Sequence, residues 1–148
     1  MEQENQYSWN EYFMAFALLS SKRSKDPNTK VGACIVNHLN HIIAIGYNSM
    51  PNNCPDEEMQ WGKDKNSYVC HAEANAISNR NSTDLTNCTI YTTHFPCNNC
   101  AKIKIQSGIS EVIYLNDWKK GESITKASEP LFKKKSIQCS KFEGTLLS

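Results

Sequence analysis

The sequence carries almost no net charge: 16 Lys and Arg stand against 15 Asp and Glu, a formal +1. So even a balance leaves no general electrostatic footprint for long nucleic acid. No apolar run approaches the ~18 residues expected of a membrane-spanning helix; Phe13 to Leu19 is apolar but sits inside an amphipathic pattern. The start, Met1-Glu2-Gln3-Glu4, lacks the positive region of a secretory signal. The chain shows no repeat, low-complexity tract or linker. One C-x-x-C occurs, at Cys97 to Cys100, and no second one completes a closed four-cysteine metal site.

The length of 148 residues predicts one domain spanning 1–148, long enough for a real core. A hydrophobic content of 39% with 21% charged residues fits a soluble globular protein. Seven cysteines are many for this length, and the number is odd. Without a secretory signal, this predicts a reducing compartment, cytoplasmic and also nuclear. Cys34, Cys54, Cys70, Cys88 and Cys139 then read as small packed hydrophobes. The alternative is a second, structural zinc using Cys54 with His38, His41 or His94, although these spacings match no compact four-ligand motif.

The most informative feature is His71-Ala72-Glu73 followed by Pro96-Cys97-Asn98-Asn99-Cys100. One imidazole and two thiolates can hold Zn²⁺ and leave a fourth position open, the pattern of a catalytic rather than a structural zinc. A carboxylate two residues after the histidine adds a proton carrier beside that position. This is the H-x-E…P-C-x-x-C signature of zinc nucleobase deaminases. In that chemistry the metal lowers the pKa of water toward ~7. Glu73 takes the water's proton, delivers it to a ring nitrogen, and carries a second proton to departing ammonia. Two thiolates cancel the metal's charge, so bound hydroxide would leave such a site net negative, which helix N-termini facing the metal would offset. A lone C-x-x-C could instead be a redox pair, and a lone histidine a core residue. The combination, in this order with a strand between its parts, is far more specific.

Ser8-Trp9-Asn10-Glu11 reads as a capping box opening a first helix, with Tyr12, Phe13, Phe16, Ala17 and Leu19 as its apolar face and an end near Ser24. Val31 to Asn37 and His41 to Tyr47 read as a hairpin, and Asn48 to Tyr68 as a long polar loop. A helix from Ala72 to about Asn81 precedes a strand at Thr89 to Thr93. A helix from Cys97 to Ser107 follows, entered through Pro96 and stopped at Gly108. After a strand at Glu111 to Leu115 come a weak helix around Ile124 to Lys134, made doubtful by Pro130, and a strand near Ile137 to Phe142. The β-α-β passage implies a parallel pair with a right-handed crossover. The sum is a three-layer α/β/α sandwich on a mixed, roughly five-stranded sheet, with both metal helices on one face.

Beyond the metal motif, Arg23-Ser24-Lys25-Asp26-Pro27-Asn28, Val31-Gly32-Ala33-Cys34, Ile45-Gly46-Tyr47-Asn48, Met50-Pro51-Asn52, Asn81-Ser82-Thr83-Asp84 and Cys100-Ala101-Lys102 resemble the deoxycytidylate (dCMP) deaminase family of the cytidine deaminase superfamily. The resemblance runs from about Trp9 to Phe142. It implies deamination of dCMP to dUMP, which feeds thymidylate synthesis, with zinc on His71, Cys97 and Cys100 and Glu73 as proton shuttle. It implies a homohexamer, activated by dCTP with Mg²⁺ and inhibited by dTTP. Some viral relatives also accept dCTP as substrate. The segment between Asn53 and Tyr68 is shorter than in the animal enzymes, and the part after Lys119 matches poorly.

Lys22-Arg23-Ser24-Lys25 offers cations and a hydroxyl to a 5′-phosphate, though cations at a helix C-terminus are favoured in any case. With the resemblance, Arg23 and Ser24 become the expected phosphate contacts. Asn48 is expected on the sugar and base, and otherwise reads as a turn residue. Ala72 would offer its N–H to the pyrimidine edge. Phe95, Tyr114 and Trp118 are candidates to stack on the base, each also suited to the core; His94 could line the pocket. Gly46, Tyr47, Asn52 and Asn53 fall in the stretch that resembles the effector loop. Two other classes compete. Deamination of a polynucleotide such as tRNA or single-stranded DNA is weakened by the neutral charge and the lack of an aromatic and basic stripe. A non-catalytic zinc module is weakened by Glu73, which a structural site does not need.

Overall fold

Local signals start the architecture. Ser8 Oγ accepts from Glu11 N at 3.1 Å while Glu11 Oε1 accepts from Ser8 N at 2.9 Å, closing a capping box at the head of α1 (Trp9–Ser21). The computed structural model describes residues 6–54, 68–81 and 84–146. Most of the expected loop between Asn48 and Tyr68, and Ser82 and Thr83 of the Asn81 to Asp84 stretch, lie outside them.

After α1 come β1 (Gly32–Val36), β2 (Ile42–Tyr47), α2 (Ala72–Ser78), β3 (Thr89–His94), α3 (Asn98–Ser107), β4 (Glu111–Asn116), α4 (Ser128–Lys134) and β5 (Gln138–Lys141). The five strands form one sheet in the order β2-β1-β3-β4-β5. β1 runs antiparallel to β2 and β3, whereas β3, β4 and β5 are mutually parallel. Period-2 alternation splits the core. Ala33, Ile35, Ile90 and Val112 pack with Ala72, Ala76, Ala101 and Phe132 of α2, α3 and α4. Cys34, Val36, Tyr91 and Ile113 pack on the other face with Phe13, Met14 and Ala17 of α1. The expected sandwich is therefore present, with α2 and α3 side by side. Among the described residues no helix is long and apolar enough to cross a membrane.

Several boundaries differ from the sequence reading. α1 buries Phe13, Met14, Ala17, Ser20 and Ser21, while Tyr12 and Leu19 face outward. The small stripe wins because α1 lies against β1 so closely that a Cβ on Gly32 would collide with the carbonyl of Ala17. The helix stops at Ser21 and not near Ser24. The amides of Lys22, Arg23 and Ser24 bond three residues back, to Leu19, Ser20 and Ser21, tightening the chain into a turn. α2 ends at Ser78, short of Asn81, whose amide turns to the Ile43 carbonyl. α3 begins at Asn98 with Cys97 as its N-cap, and Gly108 ends it in the left-handed region at φ 89°. α4 starts at Ser128, not Ile124, which places Pro130 in the first turn, where a missing N–H costs nothing.

Gly46 on β2 has a packing role. A Cβ there would sit 2.5 Å from Ala72 O and 2.6 Å from Ala76 N, so its absence lets α2 lie directly on the strand. We expect Gly46→Ala to lower stability by ~1–3 kcal/mol through overpacking and to reduce turnover by displacing α2. Thermal unfolding and a deamination assay check this; a variant as stable as the parent would remove the close-approach argument.

Candidate active site

The sheet gathers its chemistry at one end. Because β1 runs against β3, the start of β1, the end of β2 and the ends of β3 and β4 lie together. The first turns of α2 and α3 meet above them. His71 is the N-cap of α2 and Cys97 the N-cap of α3, both with extended backbone. Cys100 lies within the first turn of α3, on the same side as Cys97.

His71 Nδ1 lies 3.3 Å from Cys100 Sγ and 3.4 Å from Cys97 Sγ. The three ligand atoms fall within 4.8 Å of one another, and among the described residues no further His, Cys, Asp or Glu joins the group. Bonds of ~2.0 Å to nitrogen and ~2.3 Å to sulfur in a tetrahedral set require N···S separations of about 3.5 Å. The observed distances fit zinc bound through Nδ1. Exposure grades across the cluster, from buried Cys100 through half-buried Cys97 to exposed His71, so one side opens to solvent.

One of the two thiols is already poised as a ligand. Cys97 is drawn down to about 3, chiefly because the Cys100 thiol donates to it, with help from His71 and the Cys100 amide. Cys100 is raised for the same reason, with burial second, so the proton left between the pair sits on Cys100. His71 is raised by its hydrogen bond to Cys97. A divalent cation replaces such protons when it binds.

A cavity of about 740 Å³ opens beside the cluster, lined among others by Asn48, Ala72, Glu73, His94, Phe95 and Trp118. Glu73 is only 5% exposed. Its Oε2 accepts from Lys104 Nζ at 3.4 Å, and Lys104 is completely buried. Asn48 is clamped: Oδ1 accepts from Val31 N at 2.9 Å, and Nδ2 donates to Thr29 O at 2.9 Å and Asp26 Oδ2 at 3.3 Å. His94 accompanies Trp118 at 6.3 Å between ring centres, and burial keeps it below its ordinary pKa. Lys119 carries the one ammonium among the described lining residues.

The expected site residues separate into two groups. His71, Ala72, Glu73, Cys97 and Asn48 line the cavity, with Cys100 behind them, as do Phe95, Trp118 and His94. Tyr114 does not; it is buried edge-on to Phe95, with ring centres 4.9 Å apart, and its hydroxyl faces Lys120 Nζ at 3.3 Å. Ser24 is buried outside the lining, its Oγ accepting from Asp26 N at 3.2 Å. Arg23 is exposed, its guanidinium 5.7 Å from the ring centre of Tyr47. Asn52 and Asn53 are exposed, Asn53 with φ 65°. Among the described residues no second metal cluster forms around Cys54.

Sequence reasoning missed three residues. Asn75 Nδ2 donates to Tyr47 O at 2.8 Å and Ser49 Oγ at 3.1 Å, tying α2 to the end of β2. Asn98 bridges the loop after β4, donating to Ser123 O and accepting from Ala127 N, both at 2.8 Å. Lys104 is the third, and its signal was available: it lies one helical turn after Cys100, on the ligand-bearing face.

The model of the family described as cytidine and deoxycytidylate deaminase zinc-binding region matches residues 7–116. The deoxycytidylate deaminase of Homo sapiens is 48% identical, over 95% of this chain and 83% of its own length. A probable deoxycytidylate deaminase of Drosophila melanogaster is 55% identical over 74% of the chain and 60% of its own. Among solved structures, the dCMP deaminase of cyanophage S-TIM5 in complex with dCMP and dUMP superimposes with a TM-score of 0.73 at 26% identity, covering 89% of this chain and 95% of the phage chain. With its ligand triad at the heads of two neighbouring helices and a family match that spans them, this chain belongs to the zinc-binding cytidine and deoxycytidylate deaminases.

Proposed function

We propose that this protein hydrolyses dCMP to dUMP and ammonia, using zinc held by His71, Cys97 and Cys100. The observation that carries the reading is the three-ligand cluster on the wall of a nucleotide-sized cavity, with buried Glu73 beside it. The human relative is named a deoxycytidylate deaminase, and the phage relative was solved with dCMP and dUMP. When bound, zinc supplies a Lewis acid that brings the pKa of water toward ~7. The remaining work falls to the chain. Glu73 accepts a proton from the attacking water and passes it to N3 of the pyrimidine. A bond from water oxygen to C4 forms; Glu73 then takes the remaining proton from that oxygen and gives it to the amine as the C4–N bond breaks, leaving a C4 carbonyl and ammonia. The Ala72 amide, in the first turn of α2 where N–H groups lack intrahelical partners, is available to the pyrimidine edge. Phe95 and Trp118 flank the base, Tyr114 braces Phe95, and the clamped Asn48 faces the sugar.

For the 5′-phosphate the first candidate is Lys119, a lining residue whose ammonium lies 5.0 Å from the ring centre of Trp118, before the expected Arg23 and Ser24. We extend the reading to effectors, with dCTP activating, Mg²⁺ arriving with the nucleotide, and dTTP inhibiting. An exposed arginine over Tyr47 and the exposed amides of Asn52 and Asn53 offer the donors a triphosphate takes, while Gly46 serves packing. The outward stripe of Trp9, Tyr12 and Leu19 on α1 supports a homo-oligomer, which we take to be the hexamer. The seven free thiols suit a reducing, cytoplasmic setting.

Glu73→Gln is expected to keep stoichiometric zinc and lose ~10²–10⁴-fold in turnover; near-normal rates in an ultraviolet assay would remove the shuttle role. His71→Ala should lose zinc, read by elemental analysis, together with thermal stability; full zinc retention would remove it as a ligand. Lys119→Ala should raise KM for dCMP about tenfold with little change for deoxycytidine, whereas Arg23→Ala should alter mainly the response to added dCTP or dTTP. The reverse pattern would return the phosphate to Arg23, and a dCTP arm without effector present tests whether the triphosphate is itself deaminated.

A further inference from the structure

Lys104 is out of place by ordinary rules. It is 0% exposed, on the face of α3 that also buries Cys100 and Ala101. A lysine is almost never fully buried unless paired, because removing an ammonium from water is costly. Among the described residues its ammonium has one polar partner, Glu73 Oε2 at 3.4 Å. The other titratable groups that feel its charge are the thiols of Cys100 and Cys139. Glu73, in turn, makes no other hydrogen bond or ion pair among the described residues, although its charge reaches His71, His94 and Cys100. Oε1 is left free while the side chain lines the cavity.

We infer that Lys104 is a positioning residue for the reaction: from the α3 side it holds one oxygen of the Glu73 carboxylate, so that the other stays directed at the cavity. A glutamate has several rotatable bonds, and a proton carrier must stand within hydrogen-bond reach of both water and substrate. Gripping Oε2 from behind removes that freedom before substrate arrives. The carboxylate is presented by α2 and gripped by α3, so the grip also keeps the two ligand-bearing helices in register. This inference rests on the reading of Glu73 as proton carrier. A strap that only joined α2 to α3 would make a different forecast, since well-packed apolar replacements of a buried ion pair are often neutral or stabilising.

The experiment compares Lys104→Met, which keeps length and removes the charge, Lys104→Gln, which keeps a shorter donor, Glu73→Gln, and the double variant Glu73→Gln with Lys104→Met. Lys104→Met should bind stoichiometric zinc, keep its KM for dCMP within about threefold, and lose about ten- to hundredfold in kcat, the usual scale for removing a group that orients a reacting residue. Lys104→Gln should recover part of that loss. Adding Lys104→Met to Glu73→Gln should cost no further activity, and in metal-stripped protein the melting temperatures of the two single variants should fail to add in the double. A kcat for Lys104→Met within twofold of the parent, or losses that multiply in the double variant, would overturn the inference. If Lys104→Met does not fold, the comparison of Lys104→Gln with its own Glu73→Gln double decides by the same criteria. The two readings fail separately. An active Glu73→Gln sinks the proton-carrier reading, whereas an inactive Glu73→Gln beside a normal Lys104→Met sinks only this one.

Discussion

The functional end of the molecule depends on three soft ligand atoms being brought within 4.8 Å of one another by two separate helices. Neither helix is strong by itself. α2 has seven residues and α3 ten, both below the length at which an isolated helix is stable in water. They persist because the sheet supplies a floor that accepts them closely. Gly46 removes a side chain from beneath α2, Asn75 ties α2 to the ends of β2, and Ala101 places a small residue where α3 meets the core. A metal held by His71, Cys97 and Cys100 would join α2 to α3, coupling binding to folding at this junction.

The same geometry explains how a cavity can be both built and adaptable. Its inner wall consists of strand ends and helix starts: Val31, Asn48, His94 and Ala72. Its rim is the segment after β4 that carries Trp118, Lys119, Ser123 and Ile124. Asn98, beside the ligand Cys97, fastens that rim through two side-chain hydrogen bonds of 2.8 Å. The segment that carries Trp118 and Lys119 is thus tied to α3, the helix that holds Cys100. A rigid wall under a tethered rim suits a ligand that must be aligned over one reactive position.

The metal chemistry was legible in the sequence because the relevant spacings are local. Two cysteines three apart must share a helical face, and a histidine two before a glutamate places both at one helix start. A mixed, roughly five-stranded sheet followed from one hairpin and one β-α-β passage, while the order of its strands did not. What was illegible depended on which of two similar faces the fold would bury. α1 has an aromatic stripe at Trp9, Tyr12, Phe16 and Leu19 and a smaller one at Phe13, Met14, Ala17 and Ser21; the sheet selected the smaller because the backbone comes closest there. Arg23 is expected at a phosphate because Lys22 to Lys25 offer cations and a hydroxyl and because of the family resemblance. With α1 ending at Ser21, the turn sends Arg23 outward onto Tyr47. Lys104 was hidden by a compositional prior, since lysine on a helix is assigned to solvent unless its helical neighbours are weighed.

Lys104 also resolves a charge problem that the motif poses. Two thiolates and a carboxylate bring three negative charges to one half-buried corner, and a zinc ion answers only two. Sequence alone offers the partial positive charge of helix starts as compensation, which is a fraction of a unit charge at each. The structure supplies a whole one, 3.4 Å from Glu73 and buried with it. With Lys104 counted, cysteines, carboxylate, metal and ammonium sum to zero, and no buried charge at this corner is left unpaired. The cost of burying a lysine is thus offset at Glu73, the proposed proton carrier, against which the ammonium sits.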